Sequence, residues 1–217
     1  MTTGKRHLLG DFLFYLQLIF ALSMGISQAW TMLHSTEGII VTWFMFWGIF
    51  LAINLTLSIQ AHKTQPSRIT KQTVIVYATW TVVMTLDTVI YLWKTPGTWK
   101  DVDTLTTILA LLGIALTLVV GKLKNLPPLD PIIRGYLALI FKAMPQLTLA
   151  YSIWLDGGDG LSRVAVIVGH ITICSRIAQI FLSLREASWD RNRIGSAISE
   201  IGNEVSLIVL TVVWLIR

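Results

Sequence analysis

The sequence predicts an all-α integral membrane protein: seven transmembrane helices in a 3+1+3 bundle of two parallel repeats. Three observations predict it. The 217 residues are 54% hydrophobic and only 13% charged, with a mean hydropathy of +0.67, too apolar for a soluble domain of this size. Runs of about 20 apolar residues, each enough to cross a bilayer core, recur along the chain. The first three runs and the last three also share a pattern.

The runs place spans at 9–32, 38–60, 71–93, 104–121, 131–154, 162–184 and 196–216. Each must be a helix, because an isolated strand leaves its backbone groups unpaired in lipid. The first follows Lys5 and Arg6, as a signal peptide would. It is too long for a signal core and carries Asp11, Gln17 and Gln28, so it reads as a span. TQPSRITK (64–71), KTPGTWKD (94–101) and KLKNLPPLDP (122–131) carry the Pro, Gly and charge of loops. LDGGDG (155–160) reads as a tight, flexible, acidic turn. Trp30, Trp93, Trp99, Trp154 and Trp189 fall near span ends, as an interfacial aromatic belt requires.

The whole chain, 1–217, is thus one membrane domain: a first repeat (9–93), a short linker helix (104–121) and a second repeat (131–217). The net charge of +5 comes from basic residues between apolar runs, so it orients the chain and does not mark a nucleic-acid partner. The partners implied are membrane lipid and a small-molecule substrate, with homo-oligomer formation left open. Lys5, Arg6, Lys63, Arg68, Lys71, Lys122, Lys124, Arg134, Arg185, Arg191 and Arg193 fall on the N-terminal side; Lys94, Lys100, Arg163 and Arg217 fall opposite. The excess places the N-terminus in the cytoplasm of a plasma or inner membrane. Cys174 is the single cysteine, which excludes an intrachain disulfide and a cysteine metal cluster.

The repeat is visible in residues. LSIQAHKTQPSRI (57–69) aligns without a gap on LSLREASWDRNRI (182–194), and ISQAW (26–30) meets MPQLT (144–148). An odd linker span makes both halves enter the membrane in the same direction, related by an axis along its normal.

Three helices, a linker and three helices, with Pro145-Gln146 late in the first helix of a repeat, resemble the PQ-loop superfamily, including SWEET-like sugar transporters. The first repeat departs, with Ser27-Gln28 in place of Pro-Gln. GNEVSLIVLTVVWLIR (202–217) resembles the third helix of a bacterial half-transporter, in which Asn203 is the pocket asparagine; the first repeat has Ala78 or Trp80 near the equivalent place. The cytoplasmic N-terminus differs from the SWEET orientation. The resemblance implies a transporter moving a small polar solute, sugar as the first expectation, by alternating access. No cofactor is implied.

The polar residues within spans supply the site candidates. Pro145 lacks an amide hydrogen and weakens its helix, so it is the candidate hinge. Lys142 lies one turn before Gln146 on the same face. Thr172, Arg176, Gln179 and Ser183 form one polar stripe, which must face protein or water. A central Arg calls for a carboxylate partner, with Glu200, Glu204 or Asp87 as candidates and Glu204 preferred. A sugar site needs aromatic faces and neutral amides: Trp43, Trp47, Asn54, Gln146, Asn203 and, by the repeat, Gln28. Arg176 and Lys142 point instead to an anionic or zwitterionic substrate. A proton-coupled amino-acid or organic-acid transporter needs a carboxylate whose protonation changes with its surroundings; Asp87, Glu200 and Glu204 are candidates, with His170 as a relay. The central expectation is that Gln146, Asn203, Arg176, Asn54 and Asp87 line one cavity. Two other classes compete. A seven-helix ligand receptor without transport fits the helix count, though a retinal protein is excluded because the last span has no lysine. An enzyme is not expected, because HExxH, GxSxG and similar motifs are missing.

Overall fold

The computed structural model describes the backbone of residues 3–183 and 188–217 and the side chains of residues 11–181 and 188–217. Lys5, Arg6, Arg185 and the Ser183 end of the polar stripe lie outside the described side chains, as does part of the 182–194 match. Among the described residues all regular structure is helical: α1 (Thr3–His34), α2 (Val41–Thr64), α3 (Arg68–Lys94), α4 (Asp101–Leu123), α5 (Pro131–Asp156), α6 (Arg163–Ser183) and α7 (Arg191–Ile216). All seven are long and apolar enough to cross a membrane, so the chain is an integral, multi-pass membrane protein.

Two expectations about the elements need correcting. The linker helix is not short: its 23 residues begin at Asp101, inside the expected loop. The cause is Asp103, whose buried carboxylate accepts from Lys100 N at 2.9 Å and caps the first turn. The seventh helix begins at Arg191, five residues early, because Asp190 accepts from Arg193 N at 2.8 Å. The same chemistry sets the other starts: Ser67 and Thr70 form a capping box on α3, and Asp130 with Pro131 at the first position opens α5.

The helices pack in the same order in both halves. In the first, α3 lies between α1 and α2; in the second, α7 lies between α5 and α6. Neither α1 with α2 nor α5 with α6 brings its Cα atoms within 8 Å, among the described residues. The halves meet through α1 against α6 and α2 against α5. These two interfaces exchange under a two-fold axis that takes α1 to α5 and α2 to α6. The α5–α7 crossing is close enough to need glycine: a Cβ on Gly195 would lie 2.1 Å from Pro131 O, and one on Gly135 2.3 Å from Gly195 O.

The linker α4 packs on α5 and, less extensively, on α2. Asp103 also accepts from Thr42 N at 2.9 Å and Thr42 Oγ1 at 2.7 Å, so one carboxylate caps two helices. Thr106 donates to Thr148 of α5 at 2.7 Å. The linker thus fastens the two halves to each other along their α2–α5 side.

The two ends of the bundle differ. At one end, the α1–α2 loop docks on the α5–α6 loop. Gly160 N donates to Glu37 O at 3.1 Å, and a Cβ on Gly160 would sit 2.6 Å from that same oxygen. Gln28 reaches across from α1, donating to Gly160 O at 2.8 Å and accepting from Ser162 N at 3.0 Å. LDGGDG, expected to be a flexible turn, is therefore pinned to the opposite half. Tyr91 OH donates to Ile39 O at 3.1 Å, and Trp214 Nε1 to Gly158 O at 3.1 Å, beside the same seam. The other end, which carries the basic excess, holds an open cleft.

Candidate solute-binding site

A cavity lies between the halves near mid-height. Trp43, Trp47 and Phe50 of α2 and Tyr77 and Trp80 of α3 form its first-half wall. The spacing explains why: positions three or four apart share a helix face. The second-half wall is more polar, with Gln146, Gly169, Thr172, Arg176 and Asn203 among aliphatic residues. The space open to a water-sized sphere is about 40 Å³, room for a few waters only. Below it, toward the basic end, the cleft holds about 380 Å³ and is lined by Asn54, Leu57, Arg134, Lys142, Asn192 and Glu200, among others. Phe50, Tyr77 and Arg176 line both spaces, so they stand at the junction.

An ion cluster sits at that junction. Lys142, buried to 1% exposure, donates to Glu200 Oε1 at 2.7 Å and to Ser199 Oγ at 3.1 Å. Its Nζ also lies 4.8 Å from the centre of the Phe50 ring. Arg176 Nη1 approaches the same Glu200 oxygen only to 3.7 Å, beyond hydrogen-bond length. The arginine's expected partner is corrected by this arrangement. Glu204 points toward α6 and meets His170 Nδ1 at 2.6 Å; it lies about 100° around the helix from Asn203, which lines the cavity. Lys142 takes the tight bond to Glu200 and leaves Arg176 loosely held.

Several buried polar atoms here have no partner among the described residues: Nε1 of Trp43, Trp47 and Trp80, Oδ1 of Asn203 and Oε2 of Glu200. Gln146 is engaged through its Oε1, which lies with Asn203 O as an acceptor for the single hydroxyl hydrogen of Ser206. Pro145 is buried, and α5 runs through it unbroken from Pro131 to Asp156.

The structure brings together part of the predicted set. Gln146, Asn203, Arg176, Trp43 and Trp47 line the central cavity; Asn54, Lys142 and Glu200 line the adjoining cleft. Asn54 also donates to Phe50 O in its own helix at 2.7 Å. Asp87 lines neither space, contrary to the single-cavity expectation. It is buried with Oδ1 unpartnered, seven residues and so about 10 Å from Trp80 along α3. Gln28 is likewise away from the cavity, at the sealed seam. His170 lies between Glu204 and Thr211, the latter at 2.8 Å from Nε2, on the far side of the α6–α7 pair. Residues that the sequence reading did not single out include Tyr77, Phe50 and Ser199. The helical spacing of Trp47 with Phe50 and of Tyr77 with Trp80 was the available signal for the two aromatics.

No family model matches the chain, and neither a curated protein nor a solved structure does.

Proposed function

We propose that the chain is a membrane transporter that moves a small polar solute by alternating access between its two three-helix halves. The observation that carries the reading is the asymmetry of access. The mid-height cavity and a cleft open at the basic end share Phe50, Tyr77 and Arg176 as their common wall, while contacts between the halves seal the other end. By the positive-inside count, the N-terminus and the open cleft face the cytoplasm, and the membrane is a plasma or inner membrane.

The solute enters the cleft, passes Arg176, and lodges between the tryptophans and Asn203. Rocking of the halves then closes the cleft by bringing α2 toward α7. It parts the Gln28–Gly160 seam, with Pro145 as the flexible point in α5. The linker fastens only the α2–α5 side, so it leaves the halves free to pivot there. The PQ-loop and SWEET-like resemblance belongs to the same proposal, and the sugar expectation rests on that resemblance alone.

The test is uptake of labelled sugars, amino acids and organic acids into proteoliposomes, with and without a pH gradient. Saturable flux of one class supports the reading. Dependence on the gradient brings Asp87, Glu200, Glu204 and His170 into the mechanism. Tight binding without flux makes the protein a receptor and ends the transporter reading.

A further inference from the structure

We propose that the solute is a small organic monocarboxylate with a flat apolar body, its carboxylate held by Arg176 at the mouth of the tryptophan-lined cavity. The proposal rests on the transporter reading above and names its substrate class.

The charge count is the first ground. Lys142 and Glu200 form a close buried pair. Whichever of them holds the shared proton, their charges sum to zero. Arg176 stays protonated in proteins, so the junction carries one uncompensated positive charge. Asp87 is not on the lining and Glu204 is engaged with His170. A charged side chain within a span needs a counter-charge, and a monoanion supplies it.

Hydrogen-bond inventory is the second ground. Among the residues that line the cavity, the partnerless polar atoms are three indole N–H groups, which only donate, and one amide oxygen, Asn203 Oδ1; all are buried in the wall, and Glu200 Oε2 at the cleft side of Arg176 is the one partnerless carboxylate oxygen nearby. Arg176 adds guanidinium donors that make no hydrogen bond shorter than the 3.7 Å approach to Glu200, among the described residues. A site rich in donors and poor in acceptors fits a ligand whose polar end only accepts, and a carboxylate does so. A sugar hydroxyl both donates and accepts, and would leave donors facing donors. Asn203 Oδ1 would accept from a single hydroxyl or amino group on the ligand body.

Position is the third ground. Arg176 lines both the cavity and the cleft, so an anion that has passed Arg134 on the cleft wall meets it at the entrance to the cavity. The planar guanidinium grips a carboxylate through two parallel bonds. Beyond it, Trp43, Trp47, Trp80 and Tyr77 line a space of about 40 Å³, which must widen as the halves move before an apolar body packs against the rings. Glu200, the loose neighbour of Arg176, keeps its bond to Lys142 when the substrate arrives.

The experiment uses the full chain in proteoliposomes with three probes: phenylpyruvate, its uncharged amide, and glucose. The expected result is saturable phenylpyruvate uptake about tenfold or more above either neutral probe, a gap that one charge-assisted contact provides. Arg176→Gln should remove about nine-tenths of that flux, and Arg176→Lys should restore part of it. Preference for the amide, or glucose flux without phenylpyruvate flux, overturns the monocarboxylate and leaves the transporter standing. No flux of any probe or of the wider solute panel overturns the transporter reading, and the inference falls with it. Should Arg176→Gln fail to fold, the wild-type ratio of phenylpyruvate to its amide still decides.

Discussion

The two halves share one packing order but line the cavity with unlike residues. The first half supplies rings: Trp43, Trp47, Phe50, Tyr77 and Trp80. The second supplies polarity and charge: Gln146, Asn203 and Arg176, with the Lys142–Glu200 pair behind them. The same division shows at two glutamines that align in the repeat. Gln28 reaches across to the other half and closes one end of the bundle. Gln146 stays within its own half, bonded to Ser206, and faces the cavity. Two halves of like packing order can thus use aligned positions for unlike contacts. On the proposed reading, one half would provide a surface for an apolar body and a latch, and the other a grip for a polar group.

The sharpest way to break this comparison is to disturb the charged half. Glu200→Ala strands Lys142 without its partner inside the bundle, and removing one member of a buried pair costs about 3–5 kcal/mol. Thermal unfolding in detergent should show a large fall in midpoint, and Lys142→Met combined with Glu200→Met should recover most of it. Equal instability of the double variant would contradict the pair. Asp103→Ala attacks the linker that joins the halves. It removes the cap of α2 and that of α4 together and should cost about 1–4 kcal/mol, one cap at each helix; a loss under about 0.5 kcal/mol would remove its double role.

The glutamines give a finer contrast. Gln28→Leu leaves Gly160 O and Ser162 N unpaired at the seam, a loss of about 1–3 kcal/mol. Hydrogen exchange at the Ser162 amide should then quicken, whereas Gln146→Leu should leave that exchange unchanged and weaken solute binding. The same response from both variants would end the division of labour. The smallest effect belongs to the rings. Trp43→Phe keeps a ring but deletes an unpartnered donor, so affinity should fall about three- to tenfold while the unfolding midpoint stays put.

Much of the fold was legible in the sequence, because apolar run length is a direct reading of bilayer thickness. The ends of helices were less so. Asp101 and Asp103 look like loop residues by charge, but Asp103 reaches Thr42, 61 positions away. A cap supplied from another helix leaves no local pattern. The site was legible in part for a related reason. Helical spacing put Trp43 with Trp47 and Lys142 with Gln146, which are relations within one helix. Which carboxylate meets Arg176 depends on how α6 is rotated against α7, so the choice between Glu200 and Glu204 was beyond one-dimensional reasoning. Asp87 shows the same limit: it shares the face of Trp80, yet it lies too far along the axis to reach the cavity. The repeat alignment matched Gln28 to Gln146 in position but carried no information on which way each would turn.

The most direct test of alternating access is a pair of spin–spin distance measurements in a variant with Cys174 replaced by serine. One pair of labels, at His34 and Asp159, spans the sealed end; the other, at Gln60 and Asn192, spans the open cleft. All four positions are exposed. Adding a transported solute should shift the two distances in opposite senses, the sealed end lengthening as the cleft shortens. Distances that stay fixed at both ends, or move in the same sense, would contradict the account.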